Sequence, residues 1–228
     1  MSLAVHLLLP PHADEALCHL EDNLLPAVRL TLGADLPSPA EFHILVAGRP
    51  ERKHLIASQN LRAVIVPWAG IPEPTSELMR EFPDIALHNL HHNALPVAEQ
   101  AMALLLSASK FTVPMDRSLR TGDWRPRYNP NPSLLLNGRT ALVLGYGAIG
   151  KEVARLCLGL GMKVLAVARR GRAEHDGAAD GVSVTDVHQL RHLLPLAHAL
   201  IVCLPHTPET AGIIGERELS IENAEAVA

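Results

Sequence analysis

The spacing most suggestive of chemistry in this sequence is a set of glycines at positions 145, 147 and 150. An apolar run at 140–144 predicts a strand before them, and apolar spacing at 149–160 predicts a helix after them. In a strand–turn–helix unit of this kind, the glycines permit a tight turn, approach of a phosphate to the backbone, and close packing of the helix. N–H groups at the start of the helix attract the anion. The segment therefore predicts a dinucleotide site, as opposed to a glycine-rich turn without a ligand. Its residues are Gly145, Tyr146, Gly147, Ala148, Ile149 and Gly150.

The end of the next strand bears on which dinucleotide binds. In Rossmann-type sites an acidic side chain at this point bonds the adenosine ribose hydroxyls of NAD. This chain has Ala168, Arg169 and Arg170 there, and no acid. Guanidinium groups form charge-assisted hydrogen bonds with a ribose phosphate. The pattern thus favours NADP over NAD as the cofactor, the alternative being two solvated surface arginines.

Alternating strands and helices are predicted to position these residues. Strand-like runs at 4–9, 42–47, 61–67 and 85–88 alternate with helical spacing at 13–25 and 75–81. A long helix at 97–110 and a polar, proline-rich stretch at 117–133 lead to a second unit, whose strands are predicted at 140–144, 163–168 and 199–204. This alternation predicts α/β architecture with parallel sheets.

Composition excludes several classes of protein. The 228 residues are 48% hydrophobic and 19% charged, with a formal net charge of −4 and no basic block, which argues against nucleic acid or an anionic membrane as a partner. Neither a signal peptide nor an apolar run of membrane-spanning length is evident. The chain has only three cysteines, and they are widely spaced, so they fit neither a disulfide framework nor a zinc-binding pattern. We expect a cytoplasmic protein.

Several segments, taken in order along the chain, resemble the D-isomer-specific 2-hydroxyacid dehydrogenases, in particular the glyoxylate and hydroxypyruvate reductases. Residues 97–99 (VAE) open a long Ala/Leu helix, and residues 120–124 (RTGDW) are similar to the family's R-x-G-x-W crossing. Residues 136–140 (LNGRT) lead into the strand before the glycines. Residues 203–210 (CLPHTPET) resemble the family's P-x-T-P-x-T loop.

The resemblance implies a fold and a reaction. The fold is a doubly wound, Rossmann-type parallel sheet, incomplete in this chain, preceded by a flavodoxin-like substrate domain. The expected domains are a substrate-binding domain at 1–105, without its C-terminal closing segment, and an NAD(P)-binding domain at 106–228. The implied reaction is hydride transfer between NAD(P)H and a small 2-keto or 2-hydroxy acid. The full-length form is expected to be a homodimer.

The resemblance also assigns further site residues. Trp68, Ala69 and Gly70 correspond to the family's substrate loop, whose backbone N–H groups hold the substrate carboxylate. In the second unit, Leu204, Pro205 and Thr210 would line the cofactor.

The family's catalytic Arg, Glu and His are expected to lie beyond residue 228, so we assign no catalytic residue. The chain is then interpreted as a C-terminally truncated reductase, inactive by itself. A non-catalytic dinucleotide-binding or interaction protein is the alternative.

The sequence contains two further features that could carry chemistry. The histidines at 88, 91 and 92 lack the cysteine or carboxylate partners of a zinc site, so no metal is predicted. Cys203 lies in an apolar strand and is interpreted as a core residue.

Overall fold

The computed structural model describes residues 2–8, 14–127, 133–169 and 181–221. The chain divides into two compact units, residues 1–93 and 94–228. Each is built around one parallel β-sheet.

Unit 1 contains a five-stranded sheet in the order β2-β1-β3-β4-β5, all parallel. This is the flavodoxin-like order, so the predicted fold of the first unit is confirmed. Its core is made of apolar side chains such as Phe42, Leu45 and Val64. The strands are β1 (Leu3–Leu7), β2 (Val28–Leu32), β3 (Ile44–Val46), β4 (Ala63–Val66) and β5 (Ala86–Asn89), and the helices are α1 (Asp14–Asp22), α2 (Arg52–Ile56) and α3 (Glu73–Arg80).

Unit 2 contains a four-stranded parallel sheet in the order β8-β7-β6-β9. Counted within the unit this is 3-2-1-4, the first part of the Rossmann strand order, so the predicted class is confirmed. Its strands are β6 (Thr140–Leu144), β7 (Lys163–Ala168), β8 (Val182–Asp186) and β9 (Ala199–Val202). Its helices are α4 (Ala94–Ser109), α5 (Thr112–Arg120), α6 (Ala148–Gly159), α7 (Leu190–Leu193) and α8 (Glu216–Leu219).

Both faces of the second sheet are buried. Along β6, Ala141 and Val143 belong to one apolar cluster, whereas Leu142 and Leu144 belong to another. Successive side chains of a strand point to opposite faces, so a strand covered on both sides is apolar throughout. Strand β6 is therefore packed on both faces, and the glycine turn follows directly from this buried strand.

The contacts divide the chain before α4, whereas the sequence pattern placed the division after residue 105. The physical reason is the packing of α4 on α6. The sulfur atoms of Met102 and Cys157 are 4.0 Å apart, and Ala98 and Leu105 join the same buried cluster. Among the helices described, none has the length and apolar character needed to cross a membrane.

Candidate functional site

The turn between β6 and α6 places the three glycines in distinct conformations. Gly145 has φ +104°, which is a left-handed conformation, and its N–H donates to the carbonyl of Val167 at 2.8 Å. Gly147 is extended (φ −90°, ψ −156°) and immediately precedes α6. The chain thus leaves the strand in a tight turn and enters the helix at once, as the glycine spacing predicts.

The three glycines differ in the space around them: two are crowded by backbone atoms, and the third is open. A Cβ on Gly150 would lie 1.8 Å from the carbonyl oxygen of Gly145. One on Gly145 would lie 2.7 Å from the carbonyl oxygen of Cys203. A Cβ on Gly147 meets nothing within 4 Å. Gly145 and Gly150 are therefore required by packing, whereas Gly147 faces open space where a ligand can reach the backbone.

The start of α6 suits an anion. Because Gly147 has no side chain, it offers no cap to the first N–H groups of the helix, and the first turn carries no acidic residue. Those N–H groups point along the helix dipole toward the turn, the arrangement that binds phosphate. Ala148 and Ile149 are half-buried at this point. The residues present therefore fit a pyrophosphate.

Tyr146 was assigned to the cofactor site, but the structure turns its side chain inward. The residue is only 8% exposed, and it belongs to the apolar cluster beneath the turn. Its assignment to the cofactor site stays a prediction.

At the end of β7, Ala168 is half-buried and Arg169 is exposed. Arg170 lies outside the described residues. No carboxylate stands at 167–169, as the sequence indicated, but one approaches from elsewhere: Glu209 interacts electrostatically with Arg169. The pKa of Glu209 is lowered, first by a hydrogen bond from the Thr207 side chain and also by the charge of Arg169. Sequence reasoning missed Glu209 because it is far from Arg169 along the chain.

The loop after β9 is closed by its own threonines. The Thr210 hydroxyl donates to the carbonyl of Pro205 at 2.6 Å, and the Thr207 N–H donates to the Thr210 hydroxyl at 2.9 Å. Leu204 lies against the glycine turn, with its Cδ2 3.0 Å from the position of a Cβ on Gly145. The structure thus brings Leu204 next to the turn, and it gives Thr210 a role in shaping the loop.

Cys157 is buried and Cys203 is half-buried, a setting that disfavours the thiolate form. Burial raises the pKa of Cys157 and of Cys203 to about 11, so both thiols are protonated near neutral pH. The interpretation of Cys203 as a core residue agrees with its packing against the first apolar cluster of unit 2. Among the described residues no three His, Cys, Asp or Glu side chains come together as metal ligands would.

In unit 1 the loop after β4 contains Trp68, Ala69 and Gly70. The Asn89 side chain donates from Nδ2 to the Ala69 carbonyl at 2.5 Å, and the Leu90 N–H donates to the Trp68 carbonyl at 3.2 Å. The Trp68 ring covers Gly48, where a Cβ would lie 2.1 Å from a ring carbon. Sequence reasoning found the loop but missed the residues that hold it, because these come from β5 and from the end of β3.

Residues 102–227, more than half of the chain, match the model of the D-isomer specific 2-hydroxyacid dehydrogenase NAD-binding domain. The chain belongs to that family. The matched segment contains the glycine turn, the end of β7 and the loop after β9, which confirms the resemblance seen in the sequence. Unit 2 is accordingly the NAD-binding domain of a 2-hydroxyacid dehydrogenase family member.

Individual relatives agree with the family model. The chain is 27% identical over 216 residues to D-3-phosphoglycerate dehydrogenase of Archaeoglobus fulgidus, a match that covers 90% of this chain and 39% of that protein. It is 30% identical over 135 residues to glyoxylate reductase of Thermococcus gammatolerans, covering 57% of this chain and 39% of that one. The chain therefore spans about two fifths of the length of these curated relatives.

The fold has solved counterparts as well. The apo form of D-mandelate dehydrogenase from Rhodotorula graminis superimposes with a TM-score of 0.74 at 22% identity, covering 97% of this chain and 71% of that chain. At this identity the comparison shows the fold alone, and it includes both units in its coverage.

Proposed function

We propose that the chain binds a nicotinamide dinucleotide at the Gly145–Gly150 turn and serves an oxidoreductase that acts on a small 2-keto or 2-hydroxy acid. One observation carries the proposal. Gly147 is open at the start of α6, between two glycines that backbone atoms crowd. That combination leaves the backbone accessible at the start of α6, where the N–H groups of the first helical turn attract an anion such as a pyrophosphate.

The chain's own residues have two tasks in this reaction. The α6 N-terminus binds the pyrophosphate, and the Ala69 and Gly70 N–H groups hold the carboxylate of the acid. When bound, the nicotinamide supplies or accepts the hydride. We assign the acid to unit 1 and the dinucleotide to unit 2. Support for this reaction class comes from the relatives, whose names refer to glyoxylate and 3-phosphoglycerate.

The preferred cofactor in this proposal is NADP(H). Arg169 is exposed at the end of β7, and no carboxylate follows that strand directly. An arginine can form a charge-assisted hydrogen bond to a ribose phosphate worth roughly 1.5–3 kcal/mol, or about tenfold to a hundredfold in affinity. The charge of Arg169 makes a small contribution to the lowered pKa of Glu209, so this carboxylate partly offsets the positive charge at the end of β7. We expect its removal to strengthen NADPH binding.

We also propose that the protein forms a homodimer. Helices α4 and α5 expose apolar side chains that the fold of unit 2 does not cover, among them Leu104 at 63%, Val113 at 50% and Leu119 at 49%. Exposed large apolar side chains on neighbouring helices are compatible with a subunit contact. Light scattering across a range of protein concentrations tests this, and a monomer at every concentration would contradict it.

Titration with NADPH and NADH, followed by nucleotide fluorescence, tests the cofactor assignment. We expect Arg169→Asp to lower the affinity for NADPH by about tenfold or more and to leave the affinity for NADH unchanged. The control Arg29→Asp, which carries the same charge change on β2 of unit 1, should leave both affinities unchanged. Equal losses for NADPH and NADH would contradict the NADP preference, and a folded chain that binds neither would overturn the proposal.

Turnover separates a reductase from a protein that only binds dinucleotide. The assay follows loss of NADPH absorbance with glyoxylate, hydroxypyruvate or pyruvate as the acceptor. Consumption of NADPH with any of these acids supports the reductase, and the chosen acid identifies the substrate. Turnover by this chain alone would rule out the non-catalytic alternative, whereas nucleotide binding without turnover is expected both of a truncated reductase and of a protein that only binds dinucleotide.

A further inference from the structure

The loop Trp68–Gly70 lies at the carboxyl end of β4, at the edge of the unit 1 sheet where parallel strands present their loops. Gly70 is exposed, and a Cβ there would meet nothing within 4 Å. Gly70 thus leaves its surroundings open, as a backbone N–H that binds a ligand requires. An N–H group binds a carboxylate well only if its direction is fixed in advance, since ordering it on binding lowers the affinity.

The direction of each N–H follows from the carbonyl in the same peptide group. A trans peptide is planar, with its C=O and N–H pointing to opposite sides. The Ala69 carbonyl shares a peptide with the Gly70 N–H, and the Trp68 carbonyl shares one with the Ala69 N–H. The groups that hold these two carbonyls therefore also fix the directions of the Ala69 and Gly70 N–H groups.

Two consecutive residues at the end of β5 hold them. The Asn89 side chain donates from Nδ2 to the Ala69 carbonyl at 2.5 Å, and the Leu90 backbone N–H donates to the Trp68 carbonyl at 3.2 Å. Both carbonyls are thereby drawn toward β5. Both N–H groups, at Ala69 and Gly70, must then face away from it.

The geometry points to Asn89 as the positioning residue that aims the Gly70 N–H at the carboxylate of the substrate acid. This rests on the proposed function, because it concerns the same carboxylate site. Of the two bonds to the loop, only the one from Asn89 is made by a side chain, so it is the one that mutation can remove. Hydrogen bonding at the carbonyl also polarises the peptide and strengthens its N–H as a donor.

The chain provides an internal reporter and a matched control. Its two tryptophans are Trp68, within the loop, and Trp124. A Trp124→Phe background therefore leaves Trp68 as the sole tryptophan. Asn23, in the same unit, likewise donates from Nδ2 to a backbone carbonyl, that of His19 at 2.8 Å, but it is exposed and not part of the loop.

The experiment compares Asn89→Asp, Asn89→Ala and Asn23→Asp in the Trp124→Phe background. Oxamate, an unreactive isostere of pyruvate, is the probe, and Trp68 fluorescence reports its binding. We expect both Asn89 variants to lower the affinity for oxamate by about tenfold or more. Without ligand, acrylamide should quench Trp68 fluorescence more strongly in these variants than in the background. Asn23→Asp should bind as the background does.

Melting temperature and nucleotide affinity distinguish the outcomes. A positioning role predicts a loss of oxamate affinity with a near-background melting temperature and unchanged NADPH binding. If the Asn89 variants bind oxamate as the background does, the role of Asn89 is overturned while the proposed function stands. If the background itself binds NADPH but not oxamate, the substrate assignment fails first, and the role of Asn89 fails with it.

Discussion

The Gly145–Gly150 turn and the Trp68–Gly70 loop each follow a buried strand of a parallel sheet, but different parts of the chain fix them. The first is held by backbone atoms packed against glycines that allow no Cβ, at Gly145 and Gly150. The second is held by partners from neighbouring strands, above all the Asn89 amide. The first depends mostly on glycines within six consecutive residues, together with the backbone carbonyls of Val167 and Cys203, whereas the second arises only when β3, β4 and β5 lie side by side.

This difference predicts how the two regions respond to change. Steric overlap with backbone cannot be relieved by a side-chain rotation, so substitutions at Gly145 and Gly150 should have large, all-or-none effects on folding. Side-chain contacts can loosen individually, so changes around the Trp68 loop should act in smaller steps.

The largest effect is expected for Gly150→Ala. Its Cβ would lie 1.8 Å from the Gly145 carbonyl oxygen, and relief requires α6 to move away from β6. We expect unit 2 to lose about 3 kcal/mol or more of unfolding free energy, measured by urea denaturation. Gly159→Ala is the matched control, since a Cβ there meets nothing within 4 Å in the same helix. Equal stability of the two variants would contradict the packing role of Gly150.

Gly147→Ala should separate folding from binding in the same turn. The residue is extended and a Cβ has open space around it, so the variant should fold normally. The methyl group would occupy the place of the phosphates, and we expect nucleotide affinity to fall by about tenfold to a hundredfold. Titration with NADPH and a parallel urea curve check both parts. Unchanged affinity in a folded variant would show that no phosphate lies at Gly147.

Gly48→Ala tests the side-chain packing of the Trp68 loop. The new Cβ would lie 2.1–2.6 Å from ring atoms of Trp68, which is already 47% exposed and can swing outward. We expect a loss of about 1–2 kcal/mol, smaller than for Gly150→Ala because a side chain yields more easily than backbone. In the Trp124→Phe background, Trp68 emission should shift to the red. Emission identical to the background would mean that the ring does not rest on Gly48.

The smallest effect is an acid sensitivity confined to unit 1. The Thr31 hydroxyl donates to the Val5 carbonyl at 3.2 Å, so it accepts from Nδ1–H of His6 at 3.0 Å. Nε2 of His6 is then a buried acceptor that has no hydrogen-bond partner among the described residues. Burial, and to a lesser extent the nearby His54, lowers the pKa of His6 below its ordinary value of 6.5.

Because the folded-state pKa is lowered, the unfolded chain binds the proton more tightly. Stability is therefore retained above pH 6.5, and it falls as the pH drops from there toward the folded-state pKa, by at most about 1.4 kcal/mol per pH unit. His6→Leu should reduce this slope in urea denaturation curves taken across the acid range. His188→Gln, at an exposed histidine of unit 2, should retain it. A slope unaltered by His6→Leu would assign the acid sensitivity to another group.

Unit 2 shows how far local pattern predicts structure. The predicted bounds of β6 and β7 agree with the observed Thr140–Leu144 and Lys163–Ala168, and α6 differs by one residue at each end. A doubly covered parallel strand is apolar throughout, and a glycine turn follows directly, so both signals lie in adjacent residues. The dinucleotide turn could be predicted for the same reason.

Elements that lack a continuous apolar run or a glycine turn could not be predicted from the sequence. Strand β2 is an edge strand whose residues are mostly only half-buried, so its apolar signal is weak. Helix α2, at Arg52–Ile56, is short, and three of its five residues are exposed or half-buried. The burial of the Tyr146 side chain could not be read from its position between two glycines.

The sequence by itself therefore determined the fold class, the glycine turn and the family, because each depends on residues adjacent in the chain. Only the tertiary structure decided which glycine is open, that the charge of Arg169 acts on Glu209, and that Asn89 holds the loop beside Gly70. These depend on where separate strands end at the edge of a sheet. That placement is set by strand order and register, which bring together atoms that are distant along the chain.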